Sequence, residues 1–297
     1  MPEWRGVQNA RRKDAGLNEW RLAMPIQVVI VGAAGRMGKT LIQCLARGIE
    51  PDLKLTGAVD LWDAPERGQD AGRAAGVAEL GVPITTDLAA VAPEADVIVD
   101  FSGPHGTAGN APRCAAWRCA MVIGTTGLTA EEHAVIETSA HEIPIVMAPN
   151  MSLGVNWLLE LVERTARALR GQGYDVEIVE RHHRRKKDAP SGTAWALGRA
   201  AAAGYEWNLD EAAAHGRVGV TGERPSGQIG FHAVRGGDFV GDHTVIFAGD
   251  GESIELAHRA TSREAFAKGA LRAARWVAGR APGLYSMRNV LGLTGEK

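Results

Sequence analysis

One stretch constrains this chain more than any other: an apolar run that breaks into three glycines spaced three apart. Ile26-Gln27-Val28-Val29-Ile30-Val31 leads directly into Gly32-Ala33-Ala34-Gly35-Arg36-Met37-Gly38, and Leu41, Ile42 and Leu45 follow at helical spacing. The pattern reads as a buried strand, a tight turn and a helix start, with glycines where a pyrophosphate must approach the backbone and the helix must pack closely on the strand. A second apolar run, Leu53 to Val59, ends in Asp60, about 22 positions after Gly38. Such a fold places an acid there against the adenosine ribose hydroxyls. The spacing therefore predicts a dinucleotide site that includes Gly32, Ala33, Ala34, Gly35, Arg36, Met37 and Asp60.

The alternation continues with apolar runs at 96–101, 120–123 and 144–148, separated by helical stretches. Runs of this length bounded by turns fit a parallel sheet covered on both faces, a Rossmann-like, doubly wound α/β arrangement. Each run ends in a small or polar loop: Ser102-Gly103-Pro104, Gly124-Thr125-Thr126-Gly127 and Ala148-Pro149-Asn150-Met151-Ser152. Ligands of open parallel sheets sit at the carboxyl ends of the strands, so these loops are expected to face the crevice of the glycine turn. Gly124, Thr125, Ala148, Pro149 and Met151 join the candidate cofactor residues, and Thr126 and Asn150 are candidates for hydrogen bonds to the nicotinamide ribose or carboxamide.

Beyond Ser152 the pattern changes. Residues 153–169 carry Val155, Leu158, Leu159, Val162 and Ala166 at helical spacing, and 174–180 alternate as a half-exposed strand. That strand delivers Glu180-Arg181-His182-His183-Arg184-Arg185-Lys186-Lys187-Asp188-Ala189-Pro190-Ser191-Gly192-Thr193. Paired histidines titrate near neutral pH, Lys186 adds an ammonium four residues beyond His182, and Pro190 to Thr193 has the chemistry of a helix start, whose unpaired N–H groups bind anions. The stretch is suited to holding a small acid while protonating it. Strands at 228–234, 240–248 and 252–259, the last two joined by Gly249-Asp250-Gly251, follow without long helices between them. They predict a second α+β domain with an open mixed sheet, one face of which is free to pair with copies of itself in a homo-oligomer. Thr261-Ser262-Arg263-Glu264 reads as a capping box, and the helix after it carries Phe266, Ala270, Leu271, Ala274 and Val277 on one face. The expected organisation is a flexible extension at 1–23, a dinucleotide-binding domain at 24–150 completed by 263–297, and a substrate-binding and oligomerisation domain at 151–262.

Composition limits the partners. Cationic and anionic residues nearly cancel to a formal charge of -2 over 297 residues, so the basic run at 184–187 is local and neither nucleic acid nor an anionic membrane is expected. Cys44, Cys114 and Cys119 are odd in number and lack metal-ligand spacing, which predicts buried thiols, no metal and a reducing, cytoplasmic setting.

Taken together, Gly32 to Gly38, Asp100-Phe101-Ser102, Gly124 to Gly127, Ala148 to Ser152, the stretch from Glu180 to Thr193 and Arg235-Gly236-Gly237-Asp238 resemble the 4-hydroxy-tetrahydrodipicolinate reductase (dihydrodipicolinate reductase) family. The most specific part is His182-His183 with Lys186 and Asp188-Ala189-Pro190-Ser191-Gly192-Thr193. The resemblance implies reduction of a dicarboxylate by NADH or NADPH in lysine biosynthesis, by a homotetramer. It implies His182 and Lys186 as the proton-transfer pair, His183 as a substrate contact, and Gly192 and Thr193 as binders of a substrate carboxylate. Members that use NADPH well carry a basic residue just after the acid of the second strand. Here Leu61-Trp62 follows Asp60, so NADH is the expected preference, with Arg36 the cation left to meet a 2′-phosphate.

Two rival readings fit parts of the chain. One is a sugar or semialdehyde dehydrogenase built on the same first domain, which would need a cysteine nucleophile or a Lys-Pro pair. The other is a nucleotide-sensing module whose basic loop binds nucleic acid with strong salt dependence.

Overall fold

The computed structural model describes residues 24–293, and the extension expected at 1–23 lies outside the described residues. Strands β1 (Ile26–Val31), β2 (Leu53–Val59), β3 (Ile84–Thr85), β4 (Val97–Asp100), β5 (Ala120–Ile123) and β6 (Pro144–Met147) form a sheet completed near the carboxyl terminus by β12 (Gly283–Tyr285). The order is β12-β6-β5-β4-β1-β2-β3, and every pairing is parallel.

Successive strand residues point to opposite faces, and both faces are apolar. Val28, Ile30, Val97, Val99, Val122 and Val146 pack with α1 (Arg36–Ala46) and the late helix α6 (Glu264–Val277). Val29, Val31, Ile98, Met121, Ile123 and Ile145 pack with α2 (Pro104–Trp117) and α3 (Ala130–Ala140). This double cover is why the strands read as unbroken apolar runs. Each buried valine or isoleucine contributes about 1.5–3 kcal/mol, and truncating a central one such as Ile98 to alanine would cost about 2–5 kcal/mol.

The second sheet has the order β11-β10-β7-β9-β8. It comprises β7 (Asp175–His182), β8 (Ala213–His215), β9 (Ile229–Arg235), β10 (Gly241–Gly249) and β11 (Glu252–Ala260). β7 runs parallel to β9 and antiparallel to β10, so the sheet is mixed. Helices α4 (Leu153–Leu169) and α5 (Gly192–Tyr205) cover one face. Val176, Ile178, Glu180 and His182 are buried, whereas Asp175, Glu177, Val179 and Arg181 are only half buried. Two polar groups thus occupy the covered face at the end of β7, where α5 begins. Ser152 and Ser191 cap α4 and α5, accepting the N–H groups of Val155 and Ala194 at 3.3 and 3.1 Å.

Two local expectations need correction. The strand read at 174–180 extends to His182, so this histidine stands on the sheet. The capping box read at Thr261 to Glu264 does not form. Arg263 is the N-cap residue and already has helical dihedrals, Ser262 Oγ accepts the Glu264 N–H at 3.1 Å, and the Glu264 carboxylate turns to Arg47 and Lys268 instead of reaching back.

Candidate active site

The glycine turn is held by backbone. Gly32 has φ +82°, and a Cβ there would lie 2.8 Å from the carbonyl oxygen of Phe101. A Cβ on Gly38 would lie 2.1 Å from the Gly32 carbonyl oxygen, so α1 sits directly on the turn. No side chain caps α1, leaving its N-terminal N–H groups to an anion. Asp60 fixes the rim: one carboxylate oxygen accepts the Ala34 N–H at 2.6 Å and the other the Leu61 N–H at 2.8 Å. Each oxygen keeps a further lone pair for a ribose hydroxyl. Leu61 is 68% exposed and Trp62 76% exposed, and neither brings a cation to this rim.

The other cofactor candidates divide by burial. Arg36, Thr126 and Pro149 are exposed and Met37 is half buried, whereas the side chains of Ala33, Thr125, Ala148 and Met151 are buried and can reach a ligand only through backbone. Thr125 Oγ1 accepts from Thr107, whose hydroxyl also lies 3.0 Å from the buried Asp100 carboxylate. Gly124 leaves room for the Phe101 ring, which a Cβ would meet at 2.1 Å. Asn150 Oδ1 accepts the Ser152 N–H at 2.9 Å, and its Nδ2 donates to Thr193 Oγ1 at 3.0 Å. That bond joins the loop after β6 to the start of α5.

On the other side of the joint lies a cluster of charge. Glu180, 1% exposed, accepts both terminal nitrogens of Arg235 at 2.7 Å, the His182 Nδ1–H at 2.6 Å and the Ser191 N–H at 3.1 Å. Parallel register sets this up by placing His182 opposite Arg235. Burial opposes the charge on Glu180, but the hydrogen bonds from Arg235 and His182 prevail and hold the carboxyl below its ordinary range. Burial pushes His182 below the usual imidazole range, against the pull of Glu180 and with help from Lys186 and Arg235. The ring is therefore neutral near pH 7, with its proton on Nδ1 and a lone pair on Nε2. Gly241 faces that atom without a side chain, and a Cβ there would come within 3.0 Å of it.

Lys186 is half buried and pairs with Asp188 at 2.9 Å, whereas Arg184, Arg185 and Lys187 are exposed. His183 donates its backbone N–H to Phe239, and its ring Nδ1 is buried without a partner among the described residues. The N–H groups of Gly192 and Thr193 have no acceptor among the described residues, and open space lies where a Gly192 side chain would stand. The ion pair of Glu180 with Arg235, 55 residues apart, is not legible in the sequence. Its one trace there is Arg235 at the head of Arg235-Gly236-Gly237-Asp238.

Cys44, Cys114 and Cys119 are buried and form no disulfide among the described residues, and burial pushes the Cys114 thiol up to about 12. Burial raises the Cys44 thiol as well, so neither Cys44 nor Cys114 is poised as the nucleophile that the semialdehyde dehydrogenase reading needs. No helix among the described residues is long and apolar enough to cross a membrane.

A seven-stranded parallel sheet with a glycine turn, joined to a mixed sheet bearing a polar cluster, defines a two-domain α/β oxidoreductase. Comparison with known proteins narrows the class. Residues 26–151 match the family model of the dihydrodipicolinate reductase N-terminus, and residues 154–291 that of its C-terminus. The chain is 52% identical over 268 residues to the 4-hydroxy-tetrahydrodipicolinate reductase of Anaeromyxobacter sp. (strain Fw109-5), covering 90% of this chain and 98% of that one. It is 51% identical over 270 residues to the enzyme of the same name from Thiobacillus denitrificans, covering 91% and 100%. The fold matches that of dipicolinate-bound dihydrodipicolinate reductase from Paenisporosarcina sp. TG-14, with a TM-score of 0.70 at 24% identity over 89% of this chain and 98% of that one. The chain belongs to the dihydrodipicolinate reductase family.

Proposed function

We propose that the crevice of the first sheet binds a reduced pyridine nucleotide, NADH in preference to NADPH, and that His182 and Lys186 serve proton transfer to the substrate. The chain is an oxidoreductase that converts 4-hydroxy-tetrahydrodipicolinate to tetrahydrodipicolinate with loss of water, in the diaminopimelate route of lysine biosynthesis. The observation that carries the reading is the Asn150–Thr193 hydrogen bond, because it sets the loops of the nucleotide crevice against the open start of α5 and the cluster around Glu180.

The glycine cradle and the open N-terminus of α1 fit a pyrophosphate, with Gly32 to Met37 around it and Asp60 on the adenosine ribose. The backbone at 124–126 and 148–151 lines the nicotinamide end. When bound, the nucleotide supplies a hydride to the conjugated imine of the substrate. The protein's own residues do the rest. Gly192 and Thr193 N–H groups at the α5 terminus hold one carboxylate, Lys186 neutralises negative charge, and His183 contacts the substrate. A dicarboxylate beside His182 favours its protonated form, opposing the burial that otherwise keeps the ring neutral. Glu180 holds the Nδ1–H, so the added proton resides on Nε2 and passes from there to the nitrogen that gains charge during reduction.

The reading divides the chain into a nucleotide domain at 24–150 completed by 263–297, and a substrate and oligomerisation domain at 151–262. The uncovered face of the second sheet, with Val234 43% exposed and Val179 and Ile246 only half buried, supports assembly as a cytoplasmic homotetramer. NADH preference follows from Asp60, which accepts ribose hydroxyls but repels a 2′-phosphate by about 1–2 kcal/mol, or roughly tenfold in affinity. A coupled assay with freshly generated 4-hydroxy-tetrahydrodipicolinate and each nucleotide, followed at the nicotinamide absorbance, tests both parts. Turnover with NADH at the lower Michaelis constant is expected. No turnover would refute the activity, and equal or tighter NADPH binding would show that Arg36 or another cation outweighs Asp60.

A further inference from the structure

Proton transfer through His182 leaves the other of the two buried histidines among the described residues unused. His243 stands on β10 opposite Glu180 of β7 and opposite His258 of β11. Its ring meets that of His182 edge-on, with centroids 5.2 Å apart and planes at 73°. Its Nε2 lies 3.0 Å from Ser191 Oγ, and its Nδ1 is buried without a hydrogen-bond partner among the described residues.

Ser191 is the cap of α5, tied by its own N–H to Glu180 and by its hydroxyl oxygen to the Ala194 N–H. The hydroxyl proton has no other acceptor among the described residues, so Ser191 donates it to His243 Nε2, and the imidazole proton lies on Nδ1. With that rotor fixed, the serine lone pairs stay aimed at the first turn of the helix. We propose that His243 is a positioning residue of the substrate site, a neutral acceptor that locks the Ser191 cap and so keeps the Gly192 and Thr193 N–H groups directed at a substrate carboxylate. This inference rests on the reading that those N–H groups bind the carboxylate.

The surroundings keep the imidazole an acceptor. Glu180 and His182 face it from β7, Ser191 from the start of α5, His258 from β11 and Lys186 from the basic loop. Burial first, then the charges that His182, His258 and Lys186 can carry, depress its protonation to about 3, against the pull of Glu180. A protonated ring would offer Ser191 a second donor and release the cap.

Two substitutions in the full-length protein separate positioning from packing. His243→Phe keeps a ring but offers no acceptor, whereas His243→Gln places an amide oxygen near the former Nε2. Dipicolinate is the probe for the carboxylate site, titrated calorimetrically with NADH present, beside separate NADH titration and steady-state kinetics. The Phe variant is expected to weaken dipicolinate and raise the substrate Michaelis constant about fivefold to thirtyfold, the loss of one N-cap. NADH affinity should stay unchanged, turnover should fall less than the Michaelis constant rises, and Gln should recover most of the loss. Equal losses in Phe and Gln, or a parallel fall in NADH affinity, would overturn the proposal. Should the Phe variant not fold, Ser191→Ala with and without His243→Leu, which likewise offers no acceptor, gives a second test: non-additive losses of dipicolinate affinity support the link, and additive ones refute it. Wild-type protein that neither binds dipicolinate nor turns over would refute the proposed function and this role with it, whereas tight wild-type binding left unchanged in His243→Phe would refute this role alone.

Discussion

The two halves of the site are made in opposite ways. Around Gly32 to Gly38 the chain presents backbone: glycines that leave no space for a Cβ, an uncapped helix start and one carboxylate holding the turn to the next strand. Around His182 it presents side chains from four separate segments, gathered on the buried Glu180. A backbone site tolerates changes of side chain but not of shape. A site of paired buried charges tolerates neither the loss of a partner nor a change in its protonation, because an unpaired charge cannot stay in a dry interior.

Removing a partner from the charge cluster should have the largest effect. Arg235→Ala leaves the Glu180 carboxylate with its main counter-charge gone, and is expected to destabilise the protein by about 3–5 kcal/mol in denaturant unfolding. Arg235 also helps hold His182 below its usual range, so in this variant the titration of His182, followed by NMR, should move up. NADH affinity should survive in whatever fraction folds. Unchanged stability would mean that water, and not Arg235, satisfies Glu180.

Next is the backbone half. A Cβ on Gly38 would press to 2.1 Å on the Gly32 carbonyl oxygen, so Gly38→Ala must push α1 off the turn. The expected cost is about 3 kcal/mol with NADH binding lost and dipicolinate binding largely kept, the reverse of the Arg235 pattern. Joint loss of both ligands would erase the distinction between the halves.

A smaller effect separates them by pH. His243 has a folded value of about 3 against 6.5 in an exposed imidazole, so between these values the unfolded chain binds the extra proton. A depressed histidine contributes stability that is present above 6.5 and is lost as pH falls. From pH 7 to pH 5 the loss is about 2 kcal/mol from this residue alone. His243→Gln should flatten the unfolding free energy over that window by about this amount, whereas Gly38→Ala should leave the slope unchanged. An equal slope in wild type and His243→Gln would contradict the burial argument.

The same contrast explains what the sequence discloses. The glycine turn, the apolar strands and Asp60 lie within one stretch and carry their geometry in residue type, so the crevice is legible in the sequence alone. His182 and Lys186 are legible because they share one run. Arg235 and His243 are not, since sheet register, and not proximity in the chain, brings them to Glu180. The short strands β3, β8 and β12 have two or three residues each, too few to show a period. Burial also limits the roles read from loop position: the side chains of Thr125 and Met151 are buried, and the Asn150 side chain joins the two halves.

The central claim is that the nucleotide is held by one half and the proton delivered by the other. It is tested most directly by NADH titration and steady-state turnover of His182→Gln, with Lys186→Ala and Lys187→Ala beside it. The account predicts unchanged NADH affinity in all three, turnover roughly a hundredfold or more lower for His182→Gln and Lys186→Ala, and little change for the exposed Lys187. Near-normal turnover in His182→Gln, or equal effects at Lys186 and Lys187, would contradict it.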